Sequence, residues 1–166
     1  HFLDSGSRAF AQSIDVENNI FENITGDIFR LNKEIDDLGI YNVEYLNVIN
    51  NTFRNVEGML VNLYRGGSDE STFGPHILLK DNTINNVGNG KRNKSKSAII
   101  LHGVQVSTIE SNTFVKSGLI NIEHTVGEPK TSVKNNTFNK TPAPSVKELH
   151  AKGPHTAVLF NNKQLQ

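Results

Sequence analysis

Asn50-Asn51-Thr52-Phe53 decides the reading of this chain, because the chain keeps returning to it. With Asn51 as the anchor, the same position is filled by Asn19 (Asn-Asn-Ile-Phe), Asn82 (Asp-Asn-Thr-Ile), Asn112 (Ser-Asn-Thr-Phe), Asn136 (Asn-Asn-Thr-Phe) and Asn162 (Asn-Asn-Lys-Gln). The anchors are 32, 31, 30, 24 and 26 residues apart. Recurrence at intervals of roughly 20 to 50 residues marks a solenoid or another repeat array.

The flanks decide which array. Three residues before the anchors stand Val16, Val48, Leu79, Ile109, Val133 and Leu159, and five before stand Ile14, Leu46, Ile77, Ser107, Thr131 and Ala157, with mostly polar residues between. Such alternation running into an Asn reads as a strand that ends in a turn. Two residues after the anchors come Phe21, Phe53, Ile84, Phe114 and Phe138, the column failing only at Gln164. Asn tolerates left-handed backbone and bonds neighbouring amides, so it suits a tight corner. Stacked, these corners make an Asn ladder beside a column of buried Phe. The expected fold is therefore all-β, a right-handed parallel β-helix of about five to six coils.

Composition fits one such module spanning residues 1–166. Apolar content of 36% is low for a compact globule but suits a thin, quasi-linear core. The net charge of zero gives no bulk attraction to a polyanion, so nucleic acid is not expected as a partner. No cysteine is present, which excludes a disulfide framework and Cys-based metal sites. No run approaches the roughly 18 apolar residues of a membrane span, and no signal peptide is visible. The start at His1-Phe2-Leu3, without a Met and on what reads as mid-strand, is expected of a mature product or, the favoured reading, of the C-terminal piece of a longer solenoid. Residues 141–155, with Pro142, Pro144 and Pro154, read as an irregular capping excursion, since proline is excluded from central strands.

The third strand of each coil is where chemistry is expected. If Phe29/Leu31, Val61/Leu63, Ile99/Leu101 and Ile120/Ile122 point inward, the outward residues form two columns. One is Ile28, Asn62, Ile100, Asn121, and the other is Arg30, Tyr64, His102, Glu123. Lys33, Arg65 and His124 are placed just past the strand ends. Coils lie about 4.8 Å apart, so Arg30, Tyr64, Arg65, His102, Glu123 and His124 become candidate substrate-binding residues. The plainer reading is a solvated sheet face with cross-strand pairing. Eliminative cleavage of a uronate polymer needs a cation to neutralise the carboxylate, a base for the adjacent proton and an acid for the leaving oxygen. Lys33, Arg65, Tyr64 and His102 are of the right types and are the weak catalytic candidates.

Three strings carry a family resemblance. Asn50-Asn51-Thr52-Phe53-Arg54-Asn55-Val56, Ile28-Phe29-Arg30-Leu31-Asn32-Lys33-Glu34, and Tyr64-Arg65-Gly66-Gly67-Ser68-Asp69-Glu70-Ser71-Thr72-Phe73-Gly74-Pro75-His76 resemble sequences of the family-6 polysaccharide lyases, which include alginate lyases and the chondroitinase B type. The likeness covers nearly the whole chain and is nearest the C-terminal β-helix module of the two-module alginate lyases. It implies an acidic polysaccharide, alginate, as partner, an upstream catalytic β-helix module, and a secreted or periplasmic bacterial protein. A homodimer is one of the roles it allows.

The family's catalytic module uses a Lys and an Arg on consecutive coils, with calcium as neutraliser. Here the nearest string, Asn62-Leu63-Tyr64-Arg65-Gly66-Gly67, is displaced by one residue and lacks the family's His, and Asn121-Ile122-Glu123-His124 has Glu where Arg is expected. Lys33 is the one reasonable partner for Arg65, while Lys134 lies too many coils away. No calcium set stands out, so no cofactor is expected in this segment and calcium is assigned to the missing catalytic module. These departures imply an accessory, non-catalytic module. The alternatives are a structural or adhesive β-helix of the tailspike or surface-adhesin kind, and a small lyase in its own right.

Other features read plainly. Lys91-Arg92-Asn93-Lys94-Ser95-Lys96, inside an insertion from Asn89 to Lys96, reads either as a hold for an anionic sugar or as a solvated loop, the latter being the commoner case. The histidines lack metal-ligand spacing. Sequons at Asn23, Asn50, Asn93, Asn135 and Asn139 mostly coincide with the corners and are by-products of the repeat.

Overall fold

Three strands and three corners make one turn of the chain, and the turn repeats. The computed structural model describes residues 2–5, 11–31, 43–64, 76–125, 127–149 and 155–166. Successive coils comprise β1 (Leu3–Ser5), β2 (Ala11–Glu17) and β3 (Ile20–Ile24), then β4 (Phe29–Leu31), β5 (Val43–Ile49) and β6 (Thr52–Val56), then β7 (Val61–Tyr64), β8 (His76–Lys80) and β9 (Thr83–Val87). They continue with β10 (Ser97–His102), β11 (Val106–Glu110) and β12 (Thr113–Val115), then β13 (Leu119–His124), β14 (Lys130–Lys134) and β15 (Thr137–Asn139), and last β16 (Ser145–Glu148), β17 (Thr156–Phe160) and β18 (Lys163–Leu165). The first strands of the coils form one sheet, β1-β4-β7-β10-β13-β16, and the second and third strands form two more, all parallel. This is a parallel β-helix.

The corner between the second and third sheets holds the stack together. The anchor amides form a continuous ladder: the backbone N–H groups of Asn19, Asn51, Asn82, Asn112 and Asn136 donate to the side-chain Oδ1 of the next coil's anchor at 2.9–3.0 Å. From Asn51 onward each side-chain Nδ2 in turn donates to a carbonyl of the preceding coil, as Asn51 does to Val16, Asn82 to Val48 and Asn112 to Leu79. The corner's buried polar groups are thus bonded within the chain, as burial demands. The left-handed residue is not the anchor but the one before it. Asn18, Asn50, Asp81, Ser111, Asn135 and Asn161 have φ of 51–60°. The two demands of the corner fall on adjacent positions, and only the anchor must be Asn.

Behind the ladder, Phe21, Phe53, Ile84, Phe114 and Phe138 stack in register. Phe21 and Phe53 lie 5.0 Å apart and nearly parallel, and Phe114 and Phe138 lie 5.2 Å apart. The corner after the third sheet uses left-handed Asn23, Asn55, Asn86, Lys116 and Lys140. Its inward polar groups are Ser117 and Thr141, whose hydroxyls accept from the backbone N–H groups of Val87 and Ser117. Coils pass so closely here that a Cβ on Gly58 would stand 2.4 Å from the Gly26 carbonyl carbon.

Two expectations are corrected. The stretch read as an irregular cap carries β16, which pairs with β13 as the edge of the first sheet; Pro142 and Pro144 precede the strand, where they remove none of its ladder bonds. Ile28 does not face outward, since it is buried with Leu60 and Ala98. The bend before the strand turns two consecutive side chains of each coil inward, Ile28 with Phe29 and Leu60 with Val61, so period-two counting is broken there.

Candidate functional site

The outward face of the first sheet is set by its register, which differs from the expected columns. Arg30 aligns with Asn62, Ile100, Asn121 and Ser145. Tyr64 aligns with His102, Glu123 and Lys147. Arg30 therefore stands in the Asn62 column, two residues along the strand from the level of Tyr64, instead of within the Tyr64 column. Lys33 and Arg65 lie outside the described residues, as does Pro154.

Within the second column the side chains are in direct contact. The rings of Tyr64 and His102 stack with centroids 4.0 Å apart and planes 5° off parallel. His102 Nδ1 lies 2.6 Å from Glu123 Oε2, and Asn121 Nδ2 donates to Glu123 Oε1 at 2.8 Å. Burial pushes the Glu123 carboxyl upward, but the hydrogen bonds from His102 and Asn121 and the positive charges of His102 and Lys147 together outweigh it, and the pKa is lowered. Glu123 is thus an ionised acceptor, so Nδ1 of His102 carries the proton between them. Tyr64, 45% exposed, caps the group and offers its ring and phenol to solvent.

In the first column, Asn62 Nδ2 donates to Asp27 Oδ2, while Asp27 Oδ1 accepts from the Met59 backbone. Arg30 and Asn62 line a cleft of about 490 Å³ next to the insertion at 89–96. His124 departs from expectation. It is the last residue of β13 and is 1% exposed, with Nε2 2.8 Å from Thr131 Oγ1 and its ring 5.8 Å from that of His155. A side chain that ends a strand on an inward phase turns into the corner, so it cannot meet a polymer on the surface. Burial, and then the neighbouring charge of His155, hold the His124 pKa below its ordinary value.

Among the described residues no three His, Cys, Asp or Glu side chains converge to hold a metal ion. The carboxylates of Asp27 and Glu123 are engaged by the donors just named.

No family model matches the chain, and no curated protein matches it. Solved structures do. The structure described as PL6 family alginate lyase AlyGC is 51% identical over 98% of this chain, with a TM-score of 0.90. The chain belongs to the PL6 family. A point variant of the same enzyme gives the same values. The chain spans 22% of the length of those relatives, so it corresponds to one part of a larger PL6 architecture. At this identity the backbone path of the PL6 β-helix carries over, while activity is a matter for the residues themselves.

Sequence reasoning identified Tyr64, His102 and Glu123 as neighbours because all three lie at strand ends of the first sheet. It missed Asn121 and Lys147 as partners of Glu123. Asn121 was placed in the other column, and Lys147 lay in the stretch read as a cap.

Proposed function

We propose that this chain is an accessory β-helix module of an enzyme that cleaves alginate by β-elimination, and that it supports the catalytic module instead of performing the elimination. The kinship with an alginate lyase supports the substrate class. The observation that carries the accessory role is the Glu123 carboxylate at the centre of the polar column, held by His102 and Asn121. Elimination from a uronate requires positive charge where the sugar carboxylate sits, to stabilise the carbanion that forms beside it. A fixed carboxylate at that place opposes the developing charge, and His102 is already committed to holding it. Stacking of each coil on the next suits a support role, since each repeat of a solenoid is held by the neighbours on which it stacks. The acidic polysaccharide is then the partner of the assembled enzyme, acting outside the cell.

The test is direct. Incubated with polymannuronate and polyguluronate, the chain by itself releases no unsaturated uronate, read by ultraviolet absorbance, while the longer gene product that contains it does. Deleting this module from that product lowers its thermal midpoint and its turnover. Product release by the chain alone at a rate comparable with the longer protein would refute the accessory role.

A further inference from the structure

The insertion at 89–96 is a built feature of the fold, not a solvated excursion. Asn93 is buried at its base, with Nδ2 donating to the Gly88 and Ser97 carbonyls at 2.8 Å and Oδ1 accepting from Ser95 Oγ at 2.8 Å. Gly90 donates its N–H to the Glu57 carbonyl of the preceding coil, and a Cβ there would lie 2.5 Å from Glu57 Cβ. Lys96 Nζ closes the loop on the Gly90 carbonyl at 2.8 Å. Lys91, Arg92 and Lys94 are left exposed on this rigid frame.

The loop walls a groove of about 820 Å³ whose floor is a second, outer Asn ladder. Asn86 Nδ2 donates to Asn55 Oδ1 at 3.0 Å, and Asn55 Nδ2 to Asn23 Oδ1 at 3.2 Å. An amide has two N–H donors, so each of these bonds leaves a second donor of the same group for solvent or a ligand. The donors repeat at the coil spacing, along the helix axis. This groove joins the cleft beside Arg30, the two sharing Thr25, Glu57 and Arg92. Across both, Arg30, Lys91, Arg92 and Lys94 face two carboxylates, Asp27 and Glu57, and Asp27 is bonded to the Met59 N–H and to Asn62. A ladder of amides suits sugar hydroxyls, and cations along one wall suit regularly spaced carboxylates.

We infer that this groove is a binding site for an acidic oligosaccharide, a uronate chain lying along the outer Asn ladder with its carboxylates toward Lys91, Arg92 and Lys94. The inference deepens the polysaccharide reading above and rests on it for the sugar class. The site is separate from the Tyr64–His102–Glu123 face.

The test is titration of the full chain with a short saturated mannuronate or guluronate oligomer at low salt, read by calorimetry and by amide chemical shifts. Binding is expected, with shifts centred on Asn55, Asn86, Asn89 and Arg92. The combined variant Lys91→Ala, Arg92→Ala, Lys94→Ala keeps Asn93 and hence the loop frame; it is expected to bind about tenfold more weakly with an unchanged circular dichroism spectrum and melting curve. Glu57→Gln, which removes an opposing charge, is expected to tighten binding. Four results would overturn the inference: no binding, unaltered affinity in the triple variant, shifts centred on Tyr64 and His102, or equal binding of a neutral oligosaccharide or of single-stranded DNA. Shifts at Tyr64 and His102 would leave the accessory role standing, which the product-release assay alone decides.

Discussion

Removing one rung from the middle of the inner Asn ladder gives the sharpest test of what holds this β-helix together. Asn112 is buried; its Oδ1 accepts from the Asn82 N–H and Asn82 Nδ2, and its Nδ2 donates to the Leu79 carbonyl and to Asn136 Oδ1. In Asn112→Ala the Asn82 side chain keeps its bond to Val48, and Asn136 keeps the Asn112 backbone donor. The buried Asn82 N–H, however, loses its ladder acceptor. A buried donor left unsatisfied costs about 1–3 kcal/mol, and each further lost bond about 1 kcal/mol. The expected loss is thus about 3 kcal/mol. Asn19→Ala is the control, because Asn19 sits at the exposed end of the ladder and its Nδ2 bonds only to the Glu17 carbonyl and Asn51 Oδ1. Asn51 Oδ1 retains the Asn19 N–H, no buried group is orphaned, and the cost is under about 1 kcal/mol. Urea denaturation followed by circular dichroism measures both, provided the slopes agree. Equal costs for the two variants would refute the view that the ladder stabilises by satisfying buried backbone.

Gly58→Ala should destabilise by about 2–3 kcal/mol, because the added methyl meets Gly26 backbone that cannot swing aside; a denaturation midpoint like that of the parent chain would contradict it. His124 has a folded pKa below its unfolded value of 6.5, so the unfolded chain binds the proton first. Stability from this group is full above pH 6.5 and falls as the pH drops toward the folded pKa. Denaturation midpoints of His124→Gln should therefore vary less over that acid range. Glu123 is likewise depressed, from 4.5, and contributes stability that is present above that value and lost on further acidification. Glu123→Gln should flatten the lower end of the same profile.

The ladder and the Phe column were legible in the sequence because both require one residue type at a fixed distance from a recurring landmark. Legibility ended where the backbone bends. Ile28 looks outward by alternation, but the bend before β4 makes 28 and 29 consecutive inward positions; Arg30 falls opposite Asn62 because Phe29 pairs with Val61 and Leu31 with Leu63. The left-handed position was assigned to the anchor because Asn serves both roles, and only Asp81 and Ser111 betray that the preceding residue has a looser chemical requirement. His124 looked like a polar residue after a strand, whereas its phase puts it inside against Thr131. The prolines at 142 and 144 suppressed a strand that begins just beyond them. The basic insertion looked solvated because Asn93 folds it on itself through the Gly88, Ser95 and Ser97 bonds, while its tie to the preceding coil is the Gly90–Glu57 backbone bond, which no side-chain pattern announces.

In every coil the second and third sheets are joined by two residues, whereas among the junctions that lie wholly within the described residues the others run from short turns such as 103–105 to the insertion at 88–96. Length can therefore change along two edges of the molecule without dislocating the amides at the third. Grafting a foreign peptide at 103–105 or at the tip near Lys91 should leave the coils stacked. The same peptide placed between Ser111 and Asn112 should split the solenoid into two halves that melt separately.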